Sequence, residues 1–219
     1  MTSIFTPLQK TIFEALCDNK FITQNFRFAG GTALSEFYLK HRYSEDLDFF
    51  TGDEIIIENI KPILSPVFRN IGIETMEYRE ATSSKIFFLK KGEKEKVKTD
   101  FNFWPFKRFE KGKIYKGLEI ESLFDIALSK LDAILTRSRA RDFVDFYFIQ
   151  KEKVFDLEMM LKKLEEKTNW KMDHLFIGSC FLKIEKLQDY PKMIKPFSKE
   201  EMVKYFFTLA EAQKDKIVY

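Results

Sequence analysis

Apolar and polar positions alternate differently in the two halves of the chain. Residues 4–17 carry Ile4, Leu8, Ile12, Phe13 and Leu16 at helical spacing, which predicts an amphipathic helix. Residues 26–29 read as a short strand that runs into Gly30 and Gly31. A helix follows over 32–40, with Leu34, Phe37 and Tyr38 available for packing. Residues 46–50 alternate aspartate with bulky apolar residues, the period of a strand with one face buried. The pattern predicts another helix over 54–70, which Pro62 and Pro66 should bend or break. Residues 73–78, 85–90 and 96–104 read as strands. The last two flank Gly92-Glu93-Lys94-Glu95, a hairpin turn. This half is therefore expected to be α/β, with a mostly antiparallel or mixed sheet.

From Glu121 the period lengthens to that of helices. Leu123, Ile126, Ala127, Leu131 and Ile134 form one stripe, and 141–150 continues as a second helix. Further helices are expected over 157–167 and 198–213. The last opens with Ser198 and, three residues on, Glu201, the pattern of a capping box. Residues 189–197, with Pro191 and Pro196, read as a linker. The expected division is an α/β catalytic lobe over 1–118 and a helical lobe over 119–219. There is no internal repeat and no low-complexity segment.

Composition narrows the class. At 219 residues the chain can bury one large core or two small ones. Its 45% hydrophobic and 32% charged residues are an ordinary globular balance. The 25 phenylalanines are many for this length but carry little functional weight by themselves. No run is long and apolar enough to span a bilayer. The first residues lack the basic and apolar regions of a signal peptide. Cys17 and Cys180 have no metal-binding or redox spacing. A cytoplasmic protein with two free thiols, outside the membrane, is expected.

Net charge is only +3, but it is unevenly placed. Between Lys85 and Lys116 there are 11 lysines and arginines against 4 acids. A solvated hairpin and a basic groove for nucleic acid both fit that run.

The chemistry concentrates early. Gly30 and Gly31 open a helix, where backbone N–H groups can face a phosphate. Asp46 and Asp48, at i and i+2 on a strand, share a face and can chelate hard Mg²⁺. A third carboxylate is needed to place a second metal. Asp100 is the best candidate, because it lies opposite Val97, Thr99, Phe101 and Phe103 on its strand. Two metals about 3.5–4 Å apart would clamp the attacking and leaving oxygens of an in-line displacement. Each feature alone is weak. Their order along the chain gives them meaning together: glycine turn, helix, basic linker, Asp-x-Asp strand and distal acid.

The run Gly30-Gly31-Thr32-Ala33-Leu34, then His41-Arg42-x-Ser44-x-Asp46-Leu47-Asp48-Phe49-Phe50, closely resembles the AbiEii/AbiGii toxin family of nucleotidyltransferases. That family lies within the polymerase-β-like superfamily. Lys130-Leu131-Asp132-Ala133, followed by Arg137 to Asp145, is similar to the family's helical motif of a lysine, arginines and Arg-Asp-x-x-Asp. The resemblance covers about residues 26–148.

The resemblance implies a two-lobed α/β (α+β) enzyme, with an N-terminal mixed-sheet lobe and a C-terminal helical lobe around a cleft. Gly30, Gly31 and Thr32 would cradle the triphosphate. Asp46, Asp48 and Asp100 would bind Mg²⁺, or Mn²⁺ in its place, with Asp100 favouring deprotonation of the acceptor. Lys130 would meet the triphosphate, with Asp142 nearby in the active site. Ser44 is better explained as fixing the linker before the strand, Arg42 is open, and His41 could touch phosphate. Asp145 fits a structural role slightly better. The implied activity is transfer of a nucleoside monophosphate from an NTP to a hydroxyl, in a toxin–antitoxin or abortive-infection system. The tRNA 3′ end is the implied acceptor, and a cognate antitoxin the implied partner. Modification of an aminoglycoside-like small molecule or of a protein, or an inactive binding module, are the alternatives.

Overall fold

The structure, a computed structural model, describes residues 3–216. Met1 and Thr2, part of the N-terminal segment read for a signal, lie outside the described residues. The chain forms two compact units that divide between Ser122 and Leu123.

In the first unit, α1 (Pro7–Cys17) begins with a complete capping box. The Thr6 hydroxyl accepts from Gln9 N–H, and the Gln9 side chain accepts from Thr6 N–H. After α2 (Lys20–Asn25) come β1 (Arg27–Ala29) and α3 (Gly30–Leu34). A π-helical turn over Ser35–Leu39 extends α3, closed by Lys40 N–H donating to the Ser35 carbonyl at 2.8 Å. Next are β2 (Asp46–Thr51), α4 (Ile57–Asn70), β3 (Thr75–Ala81), β4 (Ser84–Lys91), β5 (Glu95–Phe103), β6 (Lys113–Tyr115) and β7 (Leu118–Ile120). The seven strands make one mixed sheet in the order β3-β4-β5-β2-β1-β7-β6. β2 runs parallel to β5, and β1 parallel to β7. The other pairings are antiparallel.

Phenylalanine fills this core. Phe28, Phe49, Phe87 and Phe101 are fully buried, and Phe49 stacks on Phe101 with centroids 5.2 Å apart. Phe13 of α1 closes over Phe28 at 4.7 Å. An ion pair between Arg27 Nε and Glu121 Oε1, 2.9 Å long and buried, ties β1 to the end of β7. The Tyr38 hydroxyl donates to the Glu121 carbonyl at 2.8 Å, anchoring the π-helical turn there.

Of the bend or break expected at Pro62 and Pro66, the break does not occur, and α4 is continuous through both. Both lie on its exposed side, while Ile60, Leu64 and Phe68 face inward. The carbonyls that lose an N–H partner to proline can be served by water there.

The second unit is helical: α5 (Leu123–Thr136), α6 (Ala140–Glu152), α7 (Leu157–Thr168), α8 (His174–Leu182) with a 3₁₀ turn over Lys183–Lys186, and α9 (Lys199–Lys214). Phe143, Phe146, Phe181 and Phe206 are fully buried and in ring contact around α9. The capping box expected at α9 forms only by half. The Ser198 hydroxyl accepts from Glu201 N–H at 3.1 Å. The Glu201 carboxylate instead accepts from the Tyr147 hydroxyl at 3.4 Å and lies 3.8 Å from Lys151, because α6 packs close by. α2, β6, β7 and α8 lie outside the elements read from the sequence. Among the described residues no helix is long and apolar enough to cross a membrane.

Candidate active site

Two neighbouring parallel strands build the site of the first unit. The register of β2 on β5 sets Asp48 beside Asp100 and Asp46 beside Lys98. Residues paired in register project from the same face. Leu47, Phe49, Thr99 and Phe101 occupy the other face and are buried. Three carboxylates and one ammonium therefore share one patch of sheet. Lys98 Nζ contacts Asp100 Oδ2 directly and lies 3.7 Å from Asp46 Oδ2.

Asp100 is the most enclosed of the three, at 7% exposed, and its Oδ1 is buried without a hydrogen-bond partner. Burial pushes its carboxyl above the usual range, and the Lys98 ammonium pulls it back only in part. Lys98 is held above the ordinary lysine value. Burial works against its charge, but Asp100, Asp46 and Asp48 outweigh it.

The glycine turn abuts this patch. Gly30 has φ +73°, a conformation glycine adopts without strain, and a side chain there would overlap the Asp48 carboxylate. A side chain at Gly31 would overlap the Arg42 guanidinium. The Thr32 hydroxyl is fully buried. It donates to the Asp46 carbonyl and lies 2.8 Å from the Ser44 hydroxyl. Thr32 and Ser44 thus fasten the approach to β2. His41 is buried against Ser35, with 3.4 Å between Nδ1 and the hydroxyl, so its ring is part of the core. Arg42 donates to the Tyr43 carbonyl at 2.9 Å. From α1, the Gln9 amide donates to the carbonyls of Ser44 and Glu45, each at 2.9 Å.

The donor set suits a divalent metal in kind. It is all oxygen, as hard cations require, and includes one buried carboxylate oxygen without a partner. Yet no three histidine, cysteine, aspartate or glutamate side chains among the described residues are closed into a metal cage. Lys98 is one cation among these carboxylates.

In the helical unit, α5 and α6 bring a second charged group together. Lys130 is only 6% exposed. Its Nζ lies 2.9 Å from Asp142 Oδ1 and 2.7 Å from Asp145 Oδ2. Arg137 grips Asp142 through Nε at 3.0 Å and Nη2 at 3.1 Å. Burial alone would raise the Asp142 carboxyl, but Lys130 and Arg137 hold it below the usual range. Asp145 is as buried as Asp142 and shares the same lysine, so the i+3 spacing places both on one face of α6.

Lys98 and Gln9 stand outside the site expected from sequence. Lys98 was legible from strand parity, two residues before Asp100. Gln9 was not, because its partners lie 35 and 36 residues away.

Comparison with known proteins decides the family. The family model of the nucleotidyl transferase AbiEii toxin of type IV toxin–antitoxin systems matches residues 14–212. The chain belongs to this family. It is a nucleotidyltransferase by that membership, and the family is one of toxins. An uncharacterized Aquifex aeolicus protein, aq_aa25, is 29% identical over 164 residues, covering 73% of this chain and 71% of the relative. Two Helicobacter pylori crystal structures share the fold. JHP933 aligns with a TM-score of 0.59 at 20% identity, covering 94% of this chain and 90% of its own. The other, described provisionally as a nucleotidyltransferase, aligns with a TM-score of 0.61 at 22% identity, covering 94% and 93%.

Proposed function

We propose that this AbiEii-family enzyme transfers a nucleoside monophosphate from an NTP to a hydroxyl of RNA, the tRNA 3′ end being the specific acceptor, and that a cognate antitoxin restrains it. The observation that carries the assignment is the shared face of Asp46, Asp48 and Asp100, beside a glycine turn whose Gly30 has a positive φ and lies against the Asp48 carboxylate.

Asp46, Asp48 and Asp100 would hold Mg²⁺ or Mn²⁺. A metal held there would supply charge neutralisation to the reacting phosphate. The acceptor oxygen attacks the α-phosphorus, the bond to the β-phosphate oxygen breaks, and pyrophosphate leaves. The hydroxyl proton passes to Asp100, the most enclosed of the three carboxylates. Gly30 and Gly31 offer backbone N–H groups to the phosphates. Thr32 acts through the scaffold that fixes Asp46. Lys130 is assigned to nucleotide binding in the helical unit, with Asp142 and Asp145 setting the position of its ammonium.

The basic segment supports RNA less strongly than its sequence implies. At least five of its cations are ion-paired in the fold: Lys85 to Glu80, Lys90 to Glu77, Lys98 to Asp100, Arg108 to Glu119 and Lys116 to Glu14. Among the described residues Lys94 makes no such ion pair, and Lys96 and Lys113 lie over aromatic rings, of Phe88 and Tyr38.

The test is incubation with each labelled NTP, Mg²⁺ and total RNA. Label should enter the 3′ end of tRNA, and Asp48→Asn should abolish transfer while the protein stays folded. Label on a protein or on a small hydroxylated molecule, with none on RNA, would replace the acceptor. Full activity in Asp48→Asn would overturn the carboxylate assignment.

A further inference from the structure

Lys98 lies among the carboxylates assigned to metal. Strand parity puts it on the carboxylate face, and the register sets it beside Asp46. Its ammonium contacts Asp100 Oδ2 and lies 3.7 Å from Asp46 Oδ2. Beside it, Asp100 Oδ1 is buried and without a hydrogen-bond partner, so one oxygen of that carboxylate is satisfied by the lysine and the other is not. A divalent ion bound to Asp46 and Asp100 would sit within a few ångströms of the ammonium, and like charges at such a distance repel strongly where water is partly excluded. The Lys98 side chain is 31% exposed, so it has a route to solvent that leaves the core closed.

We infer that Lys98 is a built-in counter-ion of the carboxylate site, which a divalent metal must displace, so that metal entry is an exchange of cations. The inference rests on the assignment of Asp46, Asp48 and Asp100 to metal. Without metal, the ammonium offsets the mutual repulsion of the three carboxylates and keeps them on one patch. With metal, it leaves. Metal affinity in the absence of nucleotide is therefore held down by the protein's own lysine. Lys98 is in this sense a positioning residue: it sets the readiness of the site without reacting.

The probe is Mn²⁺ alone, followed by the electron paramagnetic resonance of the free ion and, in parallel, by thermal unfolding. Lys98→Met and Lys98→Gln remove the charge, and the second keeps a polar end should the first fold poorly. Both should bind Mn²⁺ at least about tenfold more tightly than the wild type, a difference of about 1.4 kcal/mol. Both should unfold at a lower temperature than wild type without metal, and gain more from added Mn²⁺. Lys98→Arg keeps the charge and should bind like the wild type. Asp46→Asn in the Lys98→Gln background should lose the ion. Unchanged or weaker Mn²⁺ binding in both neutral variants, with wild-type binding intact, would reduce Lys98 to an ordinary ion pair and overturn the exchange. Retention of Mn²⁺ after Asp46→Asn would place the ion elsewhere and overturn it as well. Absence of Mn²⁺ binding in wild type and neutral variants alike would instead remove the metal assignment itself, and the exchange with it.

Discussion

Lys130 illustrates how burial changes the meaning of a substitution. Its ammonium balances two fully buried carboxylates, Asp142 and Asp145. Lys130→Ala would remove that charge from both, and breaking a buried pair from one side costs about 3–5 kcal/mol. For a protein of this size that lowers the unfolding midpoint by roughly 10 °C. Nucleotide binding lost in Lys130→Ala is thus expected together with lost stability, and calorimetry separates the two. A midpoint equal to wild type would show the cluster to be energetically idle. Asp142 also sets a pH dependence. Its folded pKa lies below its unfolded value, so it contributes stability above the ordinary aspartate range, and this is lost as pH falls through the folded value. Asp142→Asn should flatten the acid limb of the stability profile below about pH 4. An unchanged acid limb would contradict the depressed value. At Gly30, alanine would meet both a positive φ and the Asp48 carboxylate. A backbone cost of about 1–2 kcal/mol and a severe loss of transfer are expected, measured by melting and by label incorporation. Full transfer by Gly30→Ala would detach the turn from the chemistry.

At the scale of elements, α4 keeps its course through two prolines because they face water. An interior proline still costs a helix up to about 3 kcal/mol, so Pro66→Ala should raise the unfolding midpoint. A lower midpoint would mean that the proline has a native role not visible in its exposure. The two N-caps make a related point. Thr6 with Gln9 and Ser198 with Glu201 carry similar local signals, yet only the first closes reciprocally. Gln9 is also held against the Ser44–Glu45 backbone, whereas Glu201 is drawn towards Tyr147 and Lys151. Local pattern proposes a cap, and tertiary neighbours decide its second half.

At the scale of the molecule, charge read along the chain overstates charge in space. The acids that answer the 85–116 run come from Glu14, Glu77, Glu80 and Glu119 as well as from within it. If RNA binds there, Lys94, Lys96 and Lys113 are the cations to neutralise. Each phosphate contact removed should reduce the slope of log affinity against log salt by about 0.7–0.9. Loss of the two cation–π contacts should lower stability by only about 1–2 kcal/mol in total. Unchanged affinity and salt slope would leave the segment a solvated face.

The sequence by itself determined the parts that rest on local rules. Strand parity placed Asp46 and Asp48 on one face of β2 and Asp100 opposite Phe101 on β5, and the helical period marked most of the second unit. The glycine pair and the two motifs identified the family. Tertiary structure alone decided which strands meet. Asp48 and Asp100 are 52 positions apart, and only the parallel pairing of β2 with β5 makes them neighbours. The same pairing put Lys98 among the carboxylates, and the packing of α5 on α6 closed Lys130 between two aspartates. Short elements such as α2, β6 and β7 were equally out of reach, because three to six residues hold too little periodicity to declare themselves without the neighbours that stabilise them.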